Sequence, residues 1–474
     1  MSNIATPAAA VADAEQKRAL PRTLMGGTAA MRKAGKVYLP QEPAEDEAAY
    51  KNRLSRTFLF NGFKKTVKDM AGKVFTKPVQ MGKDVPAQLQ EYAENIDLTG
   101  QGLNNFAYAI FEGGMVDGIS YILVEMPPAN PEATRADDIA SGRRPYLVHI
   151  EACKILGFKS KLIEGRQVLT QVRILETATE DNPEDEFAEV CIPQIRVFDR
   201  TDLGVVTFRV YREQKGKRNK VEWVQVASGS ISLKDIPLVP VYANRTDYMM
   251  GEPPLADLAF TNEAHWQSSS DQRNILHVAR VPMLFAKGFD EADTLVVGAN
   301  SFTRSSNENA DMKYVEHTGS SISAGRDDLK DLEFQMQTLG LELLIPKPGG
   351  QSATGAVIDQ GKINSPLAMM ADNLKDALEQ AFGYMAQYAG MGTDAGGSLT
   401  VNTDFGITLR DAADLQTLLA AVNAGQISRE TFLRELMRRG VLMEIEPDDE
   451  MERIEQDGEA LGLKREEDDN ADGE

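Results

Sequence analysis

The chain has 474 residues and four histidines, and the spacing of those histidines decides which chemistry is open to it. His265 and His277 lie twelve residues apart on one helical segment, too far to share a metal ion, and His149 and His317 stand alone. No metal-ligand spacing is present. "HIE" at 149–151 sets an imidazole beside a carboxylate, the raw material of acid–base work, but it reads as the end of a strand. "DQGKIN" at 359–364 has a Gly-Lys step, yet Ile363 stands where a nucleotide-binding loop needs a magnesium-binding hydroxyl, and the upstream glycine spacing is wrong. There is no G-x-S-x-G elbow and no H-E-x-x-H helix. "DNPEDE" at 181–186 and the acidic C-terminal run lack the calcium-loop pattern and read as solvated faces. Cys153 and Cys191 are too few for a disulfide framework or a zinc finger, and a reduced compartment is the simpler reading. These residues lead us to expect no catalytic, cofactor or metal site.

Charge narrows the partners. The formal net charge is -21 and the isoelectric point about 4.8. From Val441 to Glu474 fifteen acidic residues face three basic ones, so the tail carries -12 and the other 440 residues only -9. An acidic chain is ill suited to gripping DNA grooves, which takes a basic footprint, but it can enclose DNA without holding it. The N-terminus carries acidic residues early and does not read as a signal peptide, and no run approaches the roughly 20 apolar residues of a membrane span. A soluble protein, cytoplasmic at synthesis, is expected. Its length suggests more than one domain.

Several elements follow from pattern. Residues 1–43, rich in Ala and Pro, read as a flexible arm. Helices are expected next, with Tyr50, Leu54, Phe58 and Phe63 as core candidates. From about 144 to 244 short β-branched runs separated by turns predict strands, among them "QVLTQVRIL", "VVTFRVYRE" and "VEWVQVA", with Trp223 in a core. The helical period returns at 253–281. That segment has apolar ends (Leu255, Leu258, Ile275, Leu276) and a middle, Thr261 to Asn274, that is polar almost all round. Such a helix needs solvent or neighbouring helices to satisfy its polar groups. A short α/β piece, a second helix and the Gly/Pro-rich "IPKPGGQSATG" follow. Leu367, Met370, Leu374, Leu378, Ala381, Met385 and Tyr388 then form a helical stripe, which Pro366 should kink or restart. "GSLTVNTDF" is a strand candidate. Finally "GQISRETFLRELMRRG" predicts a tight helical turn: Gly425 closes one helix, Ser428 caps the next, and Glu430 sits in its first turn.

The order of these elements resembles the portal proteins of tailed bacteriophages, in the branch defined by a domain of unknown function, DUF4055. "YLPQEPAEDEAAYKNRLSRTFLFNGFKKT", "PPLADLAFTNEAHWQSSSDQRNILHVARVPMLFAKGF" and the C-terminal hairpin before an acidic tail carry the likeness, over about residues 38 to 460. The resemblance implies an α+β portal fold. A wing would span 44–252, a first stem helix 253–281, a clip 282–320 and a second stem helix 321–345. A tunnel loop at 346–356 would follow, then a kinked long helix and wing strand at 357–409, and a helical crown at 410–474. It further implies a ring, dodecameric in most of the family, at one capsid vertex of the virion, assembled in the host cytoplasm. Double-stranded DNA would pass without sequence specificity. Implied partners are further copies of the chain, the large terminase subunit, the head–tail adaptor, and the capsid and scaffolding proteins. No membrane and no enzymatic activity are implied. Lys347, Pro348, Gly349, Gly350, Gln351 and Ser352 would line the tunnel, and His265, Gln267, Gln272 and Arg273 would meet neighbouring subunits. Another oligomeric head–tail connector, or an enzyme with an unrecognised site, are the competing readings.

Overall fold

Ala-rich sequence favours helix, and residues 9–37 fold accordingly rather than trailing as an arm. A computed structural model describes residues 4–127, 142–182, 185–215, 221–280, 283–288, 307, 309–315, 320–341, 365–392, 395–403, 405, 419–422, 424–438 and 453. Helix α1 (Ala9–Met25) and α2 (Gly27–Ala34) bury Leu20, Leu24 and Met31 in the principal core. Arg18, only 2% exposed, pins α1 by donating to the carbonyls of Asp117 and Gly251, and Arg22 pairs with Asp117 at 2.7 Å. The expected flexible arm is therefore corrected: it is part of the packed body.

Helices α3 (Glu47–Arg56), α4 (Gly62–Val74), α5 (Ala87–Glu94) and α6 (Leu103–Asp117) build the same core. Two side-chain caps start the first pair, Asp46 accepting from the Ala49 amide and Asn61 from the Lys64 amide. Between α3 and α4 the backbone is extended, with Thr57 at φ -73 and ψ 134. Strand periodicity then replaces helix periodicity. Thr57 and Leu59 turn inward, while Phe58 and Phe60 turn out, each 43% exposed. Phe58 was expected in the core at helical spacing from Leu54, but α3 stops at Arg56, so that spacing no longer holds.

Strands come in two main groups. β1 (Gln80–Met81) is short; β2 (Ile119–Glu125), β3 (Tyr146–Ile150) and a later strand at Leu238–Tyr242 form a three-stranded antiparallel sheet with β2 central. β4 (Ile155–Ile163), β5 (Arg166–Asp181), β6 (Glu189–Arg200), β7 (Val206–Lys215) and β8 (Val221–Ser230) form an antiparallel meander in chain order. β4 has no counterpart in the strand pattern read from sequence: Gly157, Lys159 and Lys161 hide it, and lysines suit an edge strand. Trp223 is half-buried against Leu156, Ile195 and Val197. Central β2 is buried on both sides. Ile122 and Val124 join the principal core, while Ile119, Tyr121 and Leu123 join a second core with Val172, Ile174 and Phe198.

The stripe predicted from Leu367 to Met385 is buried on a helix over Pro366–Tyr388. Ser365 caps it by accepting from the Ala368 amide at 3.2 Å, and Pro366 occupies the first turn, where its missing N–H costs nothing. Of the two outcomes expected of Pro366, a kink or a restart, the helix shows a start at this residue. The strand Leu399–Thr400 pairs with β1. The chain divides into two compact units, Met1–Phe405 and Gly406–Glu474. In the second unit residues 419–422 are helical, Gly425 takes a left-handed φ of 69, and Ser428 Oγ accepts from the Thr431 amide at 3.1 Å ahead of a helix over Arg429–Arg438. Residues 411–418 and, apart from Arg453, the acidic tail after Arg438 lie outside the described residues. The protein is mixed α+β.

Candidate functional site

The first unit's most distinctive feature is a helix pair. α7 (Ala256–Ala279) leads into strand Met283–Lys287, which pairs with Asp311–Val315, which leads into α8 (Ser320–Leu341). Three contacts fix the helices antiparallel: Gln272 Nε2 donates to the Ile322 carbonyl (2.8 Å), Ser268 Oγ to Asp328 (2.6 Å), and His265 Nε2 lies 3.5 Å from Glu333. Partner numbers fall on one helix as they rise on the other. With 24 residues α7 is about 36 Å long, at 1.5 Å per residue. The unit is a long hairpin of two helices bridged by two strands.

Close packing shows at Gly325, where an added Cβ would come 2.3 Å from Gln272 Oε1. Met336 is buried and sits over Gly62 of α4.

Most of the polar middle of α7 finds partners within the chain. Asn262, fully buried, donates to the Phe60 carbonyl at 2.8 Å and accepts from the Phe63 amide at 2.9 Å, bridging the break between α3 and α4. Gln267 donates to the Tyr38 carbonyl at 3.1 Å. The Ser270 hydroxyl lies 2.9 Å from that of Thr57. Trp266 is completely buried in the principal core. Sequence pattern sent His265, Gln267 and Gln272 to neighbouring subunits; within the chain Asn262, Gln267, Ser270 and Gln272 find partners at Phe60, Tyr38, Thr57 and Ile322, whereas the ring nitrogens of His265 and the indole N–H of Trp266 are buried without a hydrogen-bond partner. His265 is 4% exposed, its ring tilted against that of Phe60 at 5.2 Å, and burial holds its pKa below the ordinary histidine value.

Beside Ser270 lies a buried ion pair. Arg53, 4% exposed, donates two bonds of 2.8 Å to Glu45 and one to the Pro40 carbonyl, and its guanidinium faces the Tyr50 ring. The bonds from Arg53 hold the Glu45 carboxyl below its usual range. This cluster clamps residues 40–45 against α3 and α7.

Arg273, the fourth residue expected at a subunit contact, is exposed, with its guanidinium 3.7 Å from the centre of the Phe58 ring. Four phenylalanines on or beside the helix pair are exposed: Phe260 on α7 61%, Phe334 on α8 70%, and Phe58 and Phe60, which project from the extended segment. Sequence reasoning missed the outward turn of Phe58 and Phe60, for which the available signal was the T-F-L-F alternation at 57–60, whose period is that of a strand.

The tunnel-loop residues Lys347, Pro348, Gly349, Gly350, Gln351 and Ser352, like His317, fall outside the described residues. The His149 ring nitrogen lies 2.6 Å from the hydroxyl of Ser120, itself 1% exposed, and burial lowers the histidine pKa; the pair is a cross-strand tie. Among the described residues no group of three or more His, Cys, Asp or Glu could hold a metal ion, and no helix is long and apolar enough to cross a membrane.

A family model described as a domain of unknown function (DUF4055) matches residues 254–389, from the start of α7 to the end of the helix begun by Pro366. Among solved structures the chain is similar to one in the neck of a native gene transfer agent particle computed with C12 symmetry. That likeness is at 13% identity and a TM-score of 0.40, over 79% of this chain and 89% of the other. A chain in the virion of the native gene transfer agent particle gives 13% and 0.40, over 80% and 89%. At that TM-score the likenesses carry no argument about this chain. No curated protein matches.

Proposed function

We propose that this chain is the subunit of a phage portal, a ring-shaped head–tail connector at one capsid vertex through which double-stranded DNA is packaged and ejected. The observation that carries the reading is the antiparallel helix pair bridged by a strand hairpin, inside the stretch matched by the family model. In a portal this is the stem–clip–stem unit, whose strand end meets the terminase and later the adaptor. The exposed aromatics along the same helices support assembly, since large apolar side chains grouped on a surface mark contact sites. The acidic balance suits a conduit, because an acidic surface repels phosphate rather than trapping it. On this reading the protein is structural and has no catalytic role, the ring is a dodecamer, and the loop at 346–356 borders the channel with Lys347 as its cation.

The test is electron microscopy of the purified full-length protein. Rings with a central hole are expected, and class averages give the subunit number. A particle that stays monomeric at all concentrations and salt conditions, with no central hole, overturns the proposal.

A further inference from the structure

Two surfaces of the helix pair carry outward aromatics and differ in charge. The first is the strip over α7. Arg32 donates to the Thr57 carbonyl with two bonds of 3.0 and 2.8 Å, Arg56 donates to Asn274 at 3.2 Å, and Arg273 lies over Phe58. Three guanidiniums thus lie about Phe58, with the second outward phenylalanine, Phe60, two residues further on. The second is on α8. Asp327, Asp331 and Phe334 follow one another at spacings of four and three, all exposed, so they form one stripe. Lys330 flanks it and pairs with Asp327 at 3.1 Å, which leaves Asp331 as the carboxylate beside Phe334. The stripe is turned away from Met336 and Gly325, which face α4 and α7. It also lies about a third of a turn around α8 from Glu333, the residue that reaches His265 next to Phe60.

We infer that the basic aromatic strip of one copy seats on the acidic stripe of the next copy, Phe58 and Phe60 against Phe334, making a head-to-tail contact. Strip on strip would bring arginines together, and stripe on stripe would bring carboxylates together. Only the unlike pairing relieves both repulsions. A contact between two different surfaces repeats around an axis, and it closes into a ring when the rotation permits. This inference rests on the ring reading above and goes beyond it by assigning the surfaces and their polarity.

The experiment uses the full-length chain in two charge-reversed forms, R56E/R273E and D327R/D331R. Ring content is measured by native mass spectrometry and microscopy, and thermal melting checks the fold. Each form alone is expected to lose rings at least tenfold while keeping its melting temperature. An equimolar mixture is expected to recover part of the ring population, because the contact between an unaltered strip and an unaltered stripe and the contact between a reversed strip and a reversed stripe can alternate around it. The combined variant in one chain should restore rings more fully, since every contact then joins opposite signs. Rings that persist in both forms alone, or a combined variant that stays dispersed while melting as the wild type does, overturn the surface assignment while the ring reading stands. A wild-type protein that forms no rings overturns both.

Discussion

Helices α7 and α8 are nearly equal in length and equally poor in apolar residues, yet one is embedded and the other lies on the surface. α7 buries Asn262, His265, Trp266, Ser269, Ser270 and Gln272, whereas α8 between Ile322 and Gly340 fully buries only Met336 among its large side chains. The difference is in the kind of polarity. The buried polar groups of α7 are mostly neutral amides and hydroxyls, each able to meet a backbone carbonyl or amide. Those along α8 are mostly charges (Arg326, Asp327, Asp328, Lys330, Asp331, Glu333), which stay in water unless paired. Total hydrophobicity cannot separate the two helices, but the ratio of neutral polar groups to charges does.

That comparison can be broken at its strongest point. Asn262→Leu should strand the buried Phe63 amide and take one of two donors from the Phe60 carbonyl, and cost about 2 kcal/mol, measured by denaturant unfolding. A loss under about 1 kcal/mol would show that the buried amide contributes little. Removing the guanidinium beside α7 comes close in size. Arg53→Met leaves the half-buried Glu45 carboxylate with the Glu42 amide but without its guanidinium, at about 2 kcal/mol. The pH profile sharpens this. Glu45 has a depressed pKa in the folded protein, so its contribution is present above the ordinary carboxylate pKa and fades as pH falls through the depressed value. Arg53→Met should flatten that acid limb of the stability curve.

A smaller effect is expected from a single cap. Ser365→Ala removes the acceptor for the Ala368 amide and should cost about 1 kcal/mol without changing the helix register. The smallest belongs to α8. Asp331→Asn on its exposed face should shift monomer stability by less than about 0.5 kcal/mol, and a larger loss would mean that α8's charges are not simply solvated.

Much of the fold could be read before any coordinates. The Leu367–Met385 stripe, the Ser428 cap and the strands of the β-rich region follow from period and capping chemistry, which are local. The candidate site was legible only in outline. The length and polar centre of α7 are visible in sequence, but which groups satisfy that centre depends on Tyr38, Thr57 and Phe60, some two hundred residues away. The outward turn of Phe58 depends on α3 ending two residues earlier. The first helix was hidden for a related reason: its anchors, Arg18 and Arg22, read as surface charges until Asp117 and Gly251 are brought beside them.

Strand β2 serves two cores at once, Ile122 and Val124 in one and Tyr121 and Leu123 in the other. It acts as a common wall. A side chain lost from either face loosens a partition that both halves lean on, so neither half can open locally while the other keeps its full protection from solvent exchange. The helices that hold the α7–α8 hairpin and the meander that extends from β4 are thereby bound into one cooperative melting unit, and force or heat applied to the sheet is felt at the base of the hairpin.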